Sequence, residues 1–322
     1  MSQWSLQWPR AWGNACGTGS IRVRPEDFQV SELLGWAPSG SGEHLLVFLE
    51  KRGDNTDYVA RRLAEMVGCR SMDVGFCGRK DRHALTQQWF SLPCPAAAER
   101  SFLEQLSQHW RLVAVDRDQR KLRPGQHQAN RFRIRVHELS ADVDTLGQRF
   151  EEVVEKGCPN YFGPQRFGHG GANLQSALEL NPEKLNNRKA RASAGILLSA
   201  ARALMFNDWL GRRVEAGDWL SVSPGDPRPE PSGPLFGDDA SGASGVLAEK
   251  ELEFAAQYSH FMTLLRQTRM QAARRALVLK PLNCSLEWAT GAVRFGFDLP
   301  VGSFATSVLN ELLDIEDKSY TS

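Results

Sequence analysis

The segment at residues 78–87 has residue types suited to carboxylate chemistry, because it reads Gly-Arg-Lys-Asp-Arg-His-Ala-Leu-Thr-Gln. Its single carboxylate, Asp81, stands between Lys80 and Arg82. Neighbouring positive charge favours the ionised form of a carboxylate, which can then act as a nucleophile or a proton acceptor. The apolar residues 74–76 predict a buried strand whose end holds this loop in place. The same pattern is compatible with a solvated turn that carries a surface ion pair.

Strand and helix patterns alternate in the first half of the chain. Apolar runs predict strands over residues 45–49, 73–77, 88–92, 112–115 and 131–136. Helical spacing predicts helices over residues 99–106 and 142–156, and an earlier helix that Asn55 or Thr56 caps and Gly68 ends. Such interleaving favours an α+β fold in which helices cover one face of a sheet.

The strand at residues 131–136 is predicted to have one basic and one apolar face, because its side chains alternate with period two. The basic face carries Arg131, Arg133 and Arg135, and the opposite face carries Asn130, Phe132, Ile134 and Val136. If the second face overlooks the loop at 78–87, Asn130 can hydrogen-bond a base or a sugar. For Phe132 we favour core packing.

The second half is predicted to be mainly helical. Helical patterns cover residues 173–217 and 247–277, residues 221–245 read as a loose loop rich in Pro and Gly, and strand patterns return at 284–288 and 292–298 before a helix behind Ser303. The returning strands indicate that the last forty-odd residues rejoin the first domain. The helical middle would then be an insertion.

The segment at residues 159–171 is rich in Gly, Phe and Asn, unlike the interior of a helix or strand. Its Tyr161, Phe162, Gln165, Arg166 and Phe167 are suited to stacking on RNA and clamping it. Packing at a domain junction explains the same residues equally well. A stripe of Leu197, Ala201, Leu204 and Met205 in the following helix is predicted to be core.

Composition indicates a globular protein with room for two packed domains, since the chain has 322 residues and is 41% apolar. The six cysteines form no Cys-x-x-Cys pair and the seven histidines no close Cys/His cluster, so we expect reduced thiols and no bound metal. Neither a signal peptide nor a membrane-length apolar stretch is present, and we expect a cytoplasmic protein.

Basic residues are concentrated in a few places although the formal net charge is only +1. Residues 119–137 contain six basic residues and no acidic one, which predicts a positive stripe able to follow a phosphate backbone. From this stripe we predict RNA contacts at Arg120, Lys121 and Arg123, and from the segment at 159–171 a further contact at Arg166. Two more clusters, Arg188-Lys189-Arg191 and Arg269 with Arg274 and Arg275, fit solvated faces equally well.

The loop at 78–87 resembles the active-site motif of the TruD family of RNA pseudouridine synthases, Gly-x-Lys-Asp-Arg/Lys-x-Ala-x-Thr-x-Gln. The chain fills this motif at Gly78, Lys80, Asp81, Ala84, Thr86 and Gln88. Further segments resemble the family in the family's own order along nearly the whole chain. They are Gly17-Thr18-Gly19 with Arg22, Pro25-Glu26-Asp27-Phe28, Gly42-Glu43-His44, Asn55-Thr56, Asn130-Arg131-Phe132, Pro159-Asn160-Tyr161-Phe162-Gly163, Gln165-Arg166-Phe167-Gly168, Ser199-Ala200-Ala201-Arg202 and Gly302-Ser303-Phe304-Ala305-Thr306.

This resemblance implies a pseudouridine-synthase-like catalytic domain with a mostly antiparallel sheet and helices, interrupted by an inserted, largely helical family-specific domain. We place the catalytic domain at residues 1–157 and 279–322, and the insert at 158–278. Asp81 is implied to be the catalytic aspartate. The implied substrate-site residues are Phe28, Asn130, Phe304, Lys80 and Arg22. Phe28 and Phe304 follow loop-like residues, which favours exposure in a cleft, although core packing is the alternative.

The implied activity is conversion of uridine to pseudouridine at position 13 of tRNA, through a catalytic aspartate and an extruded base. It requires no cofactor. The only partner that the resemblance implies is tRNA, and we expect a monomer that binds neither a membrane nor another protein. Asp81 would either attack ribose C1′ or take the 2′ proton, and both routes stay open.

Three other functions compete: an RNA-binding or RNA-folding module without essential catalysis, a synthase acting mainly on another RNA, and a glycosidase that releases free uracil. The chain also departs from the family pattern. Arg22 stands where Lys is common, Asn310 stands where Arg is usual, and the insert is shortened around residues 221–245. Substrate identity is therefore less firmly indicated than the type of reaction.

Overall fold

The computed structural model describes residues 4–185 and 188–320, which form fourteen β-strands and eight α-helices. The strands are β1 Gly17–Ile21, β2 Phe28–Leu33, β3 His44–Arg52, β4 Gly75–Phe76, β5 Leu85–Pro93, β6 Arg111–Asp118, β7 Ala129–Ala141, β8 Cys158–Pro159, β9 Ser232–Leu235, β10 Ala273–Ala276, β11 Val278–Leu279, β12 Leu282–Ala289, β13 Ala292–Pro300 and β14 Asp314–Asp317. The helices are α1 Thr56–Val67, α2 Ala96–Leu106, α3 Val143–Lys156, α4 Ala172–Leu178, α5 Arg188–Glu215, α6 Gly245–Ala256, α7 Ser259–Gln267 and α8 Ala305–Leu312.

The chain divides into two compact units. The first, called the sheet unit here, comprises Cys16–Gln148, Pro281–Gly302 and Leu313–Ser322. The second, called the helical unit, comprises Met1–Ala15, Arg149–Lys280 and Ser303–Leu312. Both units therefore draw on segments that are distant in sequence.

A mixed, mostly antiparallel sheet forms the sheet unit. Its main path is β12-β13-β7-β2-β5-β3-β6, while β1 pairs with β14 and β7, and β4 pairs with β5. The β2–β5 and β1–β14 pairs are parallel and the other pairs are antiparallel. The predicted α+β class is confirmed, as are the strands predicted in β3, β5, β6, β7, β12 and β13.

The face of this sheet that carries Phe132 of β7 is buried, whereas basic side chains line the opposite face of β7. In β7, Phe132, Ile134 and Val136 are buried whereas Arg131 and Arg133 are exposed, which confirms the predicted alternation. Helices α1 and α2 pack on the buried face, against the inward residues of β3 and β5. Asn55 caps α1 by accepting a hydrogen bond from Tyr58 N at 2.8 Å, and Gly68 ends it in the left-handed region.

The helical unit is built around α5. The predicted stripe is confirmed for Ala201, Leu204 and Met205, which are at most 1% exposed, while Leu197 is partly buried. The short pairs β8–β11 and β9–β10 lie in the same unit. No helix within residues 4–185 and 188–320 is both long and apolar enough to cross a bilayer.

Four local predictions were wrong or incomplete. The strand predicted at 73–77 is only the two residues of β4, and β14 at the end of the chain was not predicted. The loop predicted at 221–245 contains β9, which pairs with β10 from the end of the predicted helical stretch 247–277. That stretch also divides into α6 and α7 at Tyr258, which leaves helical geometry and donates its hydroxyl to Asp208 at 2.5 Å. For β9 and for the break at Tyr258, a tertiary partner overrides the local pattern.

Candidate active site

The loop that carries Asp81 connects β4 to β5 and is anchored by buried polar side chains. Lys80 N donates to Thr56 Oγ1 at 3.0 Å, and Gln88 Nε2 donates to Gly78 O. The Thr56 hydroxyl in turn donates to Gln88 Oε1 at 3.0 Å. Since Thr56 begins α1 and Gln88 lies in β5, a helix and a strand hold both sides of the loop.

The Asp81 side chain is 18% exposed, and both of its oxygens have partners. Oδ1 accepts from His83 N at 2.9 Å, and Oδ2 lies 3.3 Å from Arg22 Nη2. Arg22 also pairs with Asp317 of β14, and its guanidinium carbon lies 3.9 Å from the centre of the Phe28 ring. Three contacts thus fix the guanidinium that faces Asp81.

Lys80, next to Asp81 in sequence, directs its ammonium elsewhere. Its Nζ lies 2.5 Å from Glu32 Oε2, and both side chains are buried. Burial raises the pKa of Glu32, while Lys80 acts to lower it. Lys80 is therefore not the cation that contacts Asp81. Arg22 has that position, because chain neighbours in a loop need not direct their side chains alike.

Polar side chains interrupt the buried face of the sheet beneath this loop. Glu32 of β2 pairs with Asn130 of β7, and Thr86 of β5 pairs with Lys51 of β3. Paired residues share a face of the sheet, so these four side chains face inward with their apolar neighbours. Buried polar and charged groups are costly unless they are paired, so such a patch is unusual in a core.

Lys51 is a buried cation that the sequence interpretation missed, with only 2% of the residue exposed. Its Nζ donates to Asp54 O at 2.8 Å. Burial lowers the pKa of Lys51 to about 8, with Asp54 and Asp81 acting in the opposite direction and Lys80 in the same direction. Lys51 therefore contributes to the electrostatic field at Asp81.

His127, which was also missed, lies beside Asn130 and is only 5% exposed. Burial lowers the pKa of His127 to about 4, and Lys80 acts in the same direction, so the imidazole is neutral at physiological pH. The Oδ1 atom of Asn130 is likewise buried. A neutral imidazole beside a buried amide restricts the orientations that the amide can adopt.

Phe28 does not match the expectation of a cleft-exposed ring, because only 4% of it is exposed. Its ring packs edge-on against Phe132 at 6.1 Å, and Arg22 covers it as described above. Phe132 is buried, as predicted. The expectation fails because β2 turns Phe28 to the inward face of the sheet, in register with Ile134 of β7.

Phe304 and Arg166 belong to the helical unit. Phe304 is partly buried and packs edge-on against Phe162 at 5.8 Å. In the segment at 159–171, Tyr161, Phe162 and Phe167 are at most 8% exposed and belong to the core of this unit, which corrects their interpretation as stacking surfaces. Arg166 is partly exposed and Gln165 is exposed.

The basic residues predicted to bind RNA are only partly available. Arg120 and Arg123 are exposed, whereas Lys121 donates to Met72 O. Arg131 is neutralised by Asp298, to which it donates hydrogen bonds of 2.8 and 2.9 Å. The prediction of a continuous stripe of six positive charges is therefore wrong at this position. Asp298 is 167 residues away in sequence, beyond the reach of local charge counting.

Two further sequence features have structural outcomes in the helical unit. Arg10 donates to Asn310 O and places its Nη2 3.4 Å from Asn310 Oδ1, so a guanidinium lies beside position 310 although the residue is not Arg. The side chains of the cluster Arg188-Lys189-Arg191 lie outside the described residues. Among the described residues, no three His, Cys, Asp or Glu side chains group as metal ligands would.

Comparison with known proteins gives consistent matches over nearly the whole chain. A family profile described as tRNA pseudouridine synthase D (TruD) matches residues 11–178. A Marinobacter nauticus protein named tRNA pseudouridine synthase D is 42% identical, covering 99% of this chain and 97% of its own length. A Cellvibrio japonicus protein of the same name is 40% identical, covering 98% and 96%.

The fold is also found in a solved structure. The crystal structure of a Methanosarcina mazei protein, described under the name tRNA pseudouridine synthase D (TruD), superposes with a TM-score of 0.69 over 95% of each chain, at 20% identity. At that identity the match supports the architecture alone. The profile and the full-length relatives go further, and the chain belongs to the tRNA pseudouridine synthase D (TruD) family.

Proposed function

We propose that this chain converts uridine to pseudouridine at position 13 of tRNA, with Asp81 as the catalytic carboxylate. The names of the full-length relatives support the reaction and the tRNA substrate. The observation that carries the role of Asp81 is an accessible carboxylate held by Arg22 and by His83 N at the edge of a buried polar patch. The family motif supplies the same residue independently.

The reaction is an isomerisation and needs neither a redox partner nor an energy source. The bond between ribose C1′ and uracil N1 breaks, the base turns while bound, C1′ bonds to C5, the C5 hydrogen leaves as a proton, and N1 takes up a proton. Asp81 either attacks C1′ or removes the 2′ proton to give a glycal. A stacked uridine must leave its helix to reach such a carboxylate.

The remaining predicted contacts form part of the same proposal. Asn130 is proposed to hydrogen-bond the target uridine, and Phe28 and Phe304 to contact its base or sugar. Arg22 would act through Asp81, and Lys80 would act through Glu32, since these are the carboxylates with which they pair. Arg120, Lys121 and Arg123 are proposed to contact the RNA backbone.

Two organisational predictions also remain proposals. Residues 158–278 are proposed as the inserted domain, between catalytic segments at 1–157 and 279–322. The enzyme is proposed to act on tRNA as a cytoplasmic monomer without a cofactor.

Replacing Asp81 with Asn tests the catalytic role. With tRNA that carries tritium at uridine C5, wild type should release tritium to water, and Asp81→Asn should release none while binding tRNA within a few fold of wild type. Asp57→Asn is a matched control, since Asp57 pairs with Arg79 of the same loop through an exposed ion pair of 2.9 Å. Tritium release by Asp81→Asn at the wild-type rate would contradict the assignment.

The same reaction separates the competing functions. Free uracil among the products would indicate a glycosidase, and tRNA binding without any tritium release by wild type would favour an RNA-binding module. Carbodiimide mapping of the modified tRNA then tests position 13, since a product at another position would contradict that part of the proposal.

A further inference from the structure

Two arginines of the helical unit approach one aromatic ring. The guanidinium carbon of Arg275 lies 4.1 Å from the centre of the Phe162 ring, and that of Arg166 lies 5.4 Å from the same centre. Burial lowers the pKa of Arg275 to about 9, and the charge of Arg166 acts in the same direction. Arginine stays cationic at neutral pH, so the fold holds two like charges at one aromatic ring.

The scaffold around this pair is firmly held. Arg275 donates from Nε to Asn160 O at 3.1 Å and from Nη2 to Asn160 Oδ1 at 2.6 Å. Phe162 N donates to Asn207 Oδ1 at 2.8 Å, and Asn207 Nδ2 donates back to Phe162 O at 3.0 Å. These reciprocal bonds fix the backbone between the two arginines, so the pair is positioned in advance of any ligand.

Arg166 lacks the compensation that the same unit gives to a neighbouring arginine. Arg274, also buried, lies 2.9 Å from Glu251 and 3.4 Å from Asp226. Within residues 4–185 and 188–320 the Arg166 guanidinium makes one hydrogen bond, from Nη1 to Ser199 Oγ at 3.2 Å, and its Nε is buried without an acceptor. Burial lowers the pKa of Arg166, and no carboxylate in the described part of the chain opposes this effect.

An uncompensated, desolvated guanidinium is stabilised by an anion supplied from outside. We propose that Arg166 and Arg275 form a phosphate-binding site whose occupant is one backbone phosphate of the tRNA substrate. Arg166 is partly exposed, which gives the phosphate access. This inference rests on the function proposed above and adds an RNA contact site in the helical unit.

The position of Phe304 specifies which phosphate is involved. The Arg166 guanidinium carbon lies 5.9 Å from the centre of the Phe304 ring, which is the proposed contact of the target base. A phosphate bound at Arg166 would therefore flank the nucleotide that contacts Phe304. Gly163 permits this packing, because a Cβ there would approach Thr306 Oγ1 to 2.6 Å and Phe304 Cδ1 to 3.2 Å.

The salt dependence of tRNA affinity tests the site without relying on catalysis. Each phosphate contact contributes roughly 0.7 to 0.9 to the slope of log affinity against log salt concentration. Arg166→Gln should lower the slope by about that amount, whereas Arg166→Lys, which keeps the charge, should retain it. An unchanged slope in a folded Arg166→Gln protein, as judged by its thermal unfolding, would overturn the proposal.

Arg212→Gln is the matched control. Arg212 also lies over an aromatic ring of the helical unit, 4.6 Å from the centre of Phe254, but it is exposed and donates to Gln257. We expect its slope to match that of wild type. If Arg212→Gln lowered the slope as much as Arg166→Gln does, the effect would be one of general charge, and the assignment of a specific site would be overturned.

Single methylphosphonate substitutions in the RNA locate the phosphate. Wild type should lose affinity at one phosphate beside the target uridine, and Arg166→Gln should show no further loss there. Stabilisation of wild type by inorganic phosphate, with an unaltered tRNA salt slope in Arg166→Gln, would indicate a free-phosphate site and overturn the RNA assignment. Failure of the proposed function can be distinguished from failure of the phosphate site, because in the first case wild type itself would not bind or isomerise tRNA.

Discussion

Replacing Lys51 with Met separates the electrostatic contribution of this ammonium from its cost to the fold. The side chain lies on the inward face of β3 and is 2% exposed. Burial lowers its pKa from 10.5 to about 8. Methionine has a similar length without the charge, and it can be accommodated among apolar neighbours.

The pH dependence of stability follows from these two values. Below about pH 8, Lys51 is charged in the folded and unfolded states, and the burial cost is present in full. Between about 8 and 10.5 the folded chain has lost the proton and the unfolded chain keeps it, so stability rises with pH. The full difference corresponds to about 3 kcal/mol, of which about 2 kcal/mol is gained between about pH 7 and pH 9.5.

Urea unfolding of wild type and Lys51→Met at these two pH values measures this effect. The stability advantage of Lys51→Met over wild type should shrink by about 2 kcal/mol from about pH 7 to pH 9.5. The exposed Lys250, changed to Met, is the control and should show no such difference. A constant advantage across this range would contradict the buried-charge interpretation.

The rate of catalysis by wild type should change with pH in the direction opposite to its stability. The Lys51 ammonium and the Asp81 carboxylate attract each other, so loss of this positive charge alters the electrostatic field at the proposed catalytic group, and tritium release by wild type should decline as pH rises through the Lys51 pKa of about 8. Lys51→Met should be slower at neutral pH and should lack this decline. The same decline in Lys51→Met would refute the electrostatic role, even if the stability result agreed.

Three further predictions concern other positions. Arg22→Gln removes the positive charge that lies beside Asp81 and Asp317, so kcat should fall on the order of 10- to 100-fold with tRNA affinity unchanged, as single-turnover and binding assays would show. Burial raises the pKa of Glu311 to about 7, so stability should fall as pH rises from about 4.5 to 7, and Glu311→Gln should abolish this fall in urea titrations. Gly163→Ala should displace Thr306 and Phe304 and lower kcat/KM for tRNA, whereas Gly195→Ala, whose Cβ would meet no described atom outside its own helix within 4 Å, should leave kcat/KM unchanged.

The elements that the sequence predicted well are those whose pattern is local. Helix α1 has both caps within its own sequence, and β7 alternates basic and apolar side chains from Arg131 to Val136. The strand β9 and the break at Tyr258 depend on partners in other segments, so composition and helical spacing predicted them wrongly. A local pattern does not contain the pairing that stabilises such elements.

The ion pairs of the site show the same limit at the level of single charges. The sequence placed Lys80 beside Asp81, but the register of β2 supplies Glu32 as the partner of Lys80. Arg22 pairs with Asp81 and with Asp317, which lies 295 residues further along the chain. The catalytic candidate could be identified from its motif, whereas the cation that holds it could not.

One informative signal was nevertheless present in the period-two pattern. The inward row of β2 runs Phe28, Val30, Glu32, and that of β3 runs Leu45, Val47, Leu49, Lys51, so each apolar row ends in a charge. A buried charge costs several kcal/mol unless partners compensate it, so a fold retains one on a core-facing row only where something opposes that cost. Glu32 and Lys51 were therefore identifiable as candidates from the alternation alone. Their partners were not, because the register that aligns these rows beneath the Asp81 loop arises only when the strands pair.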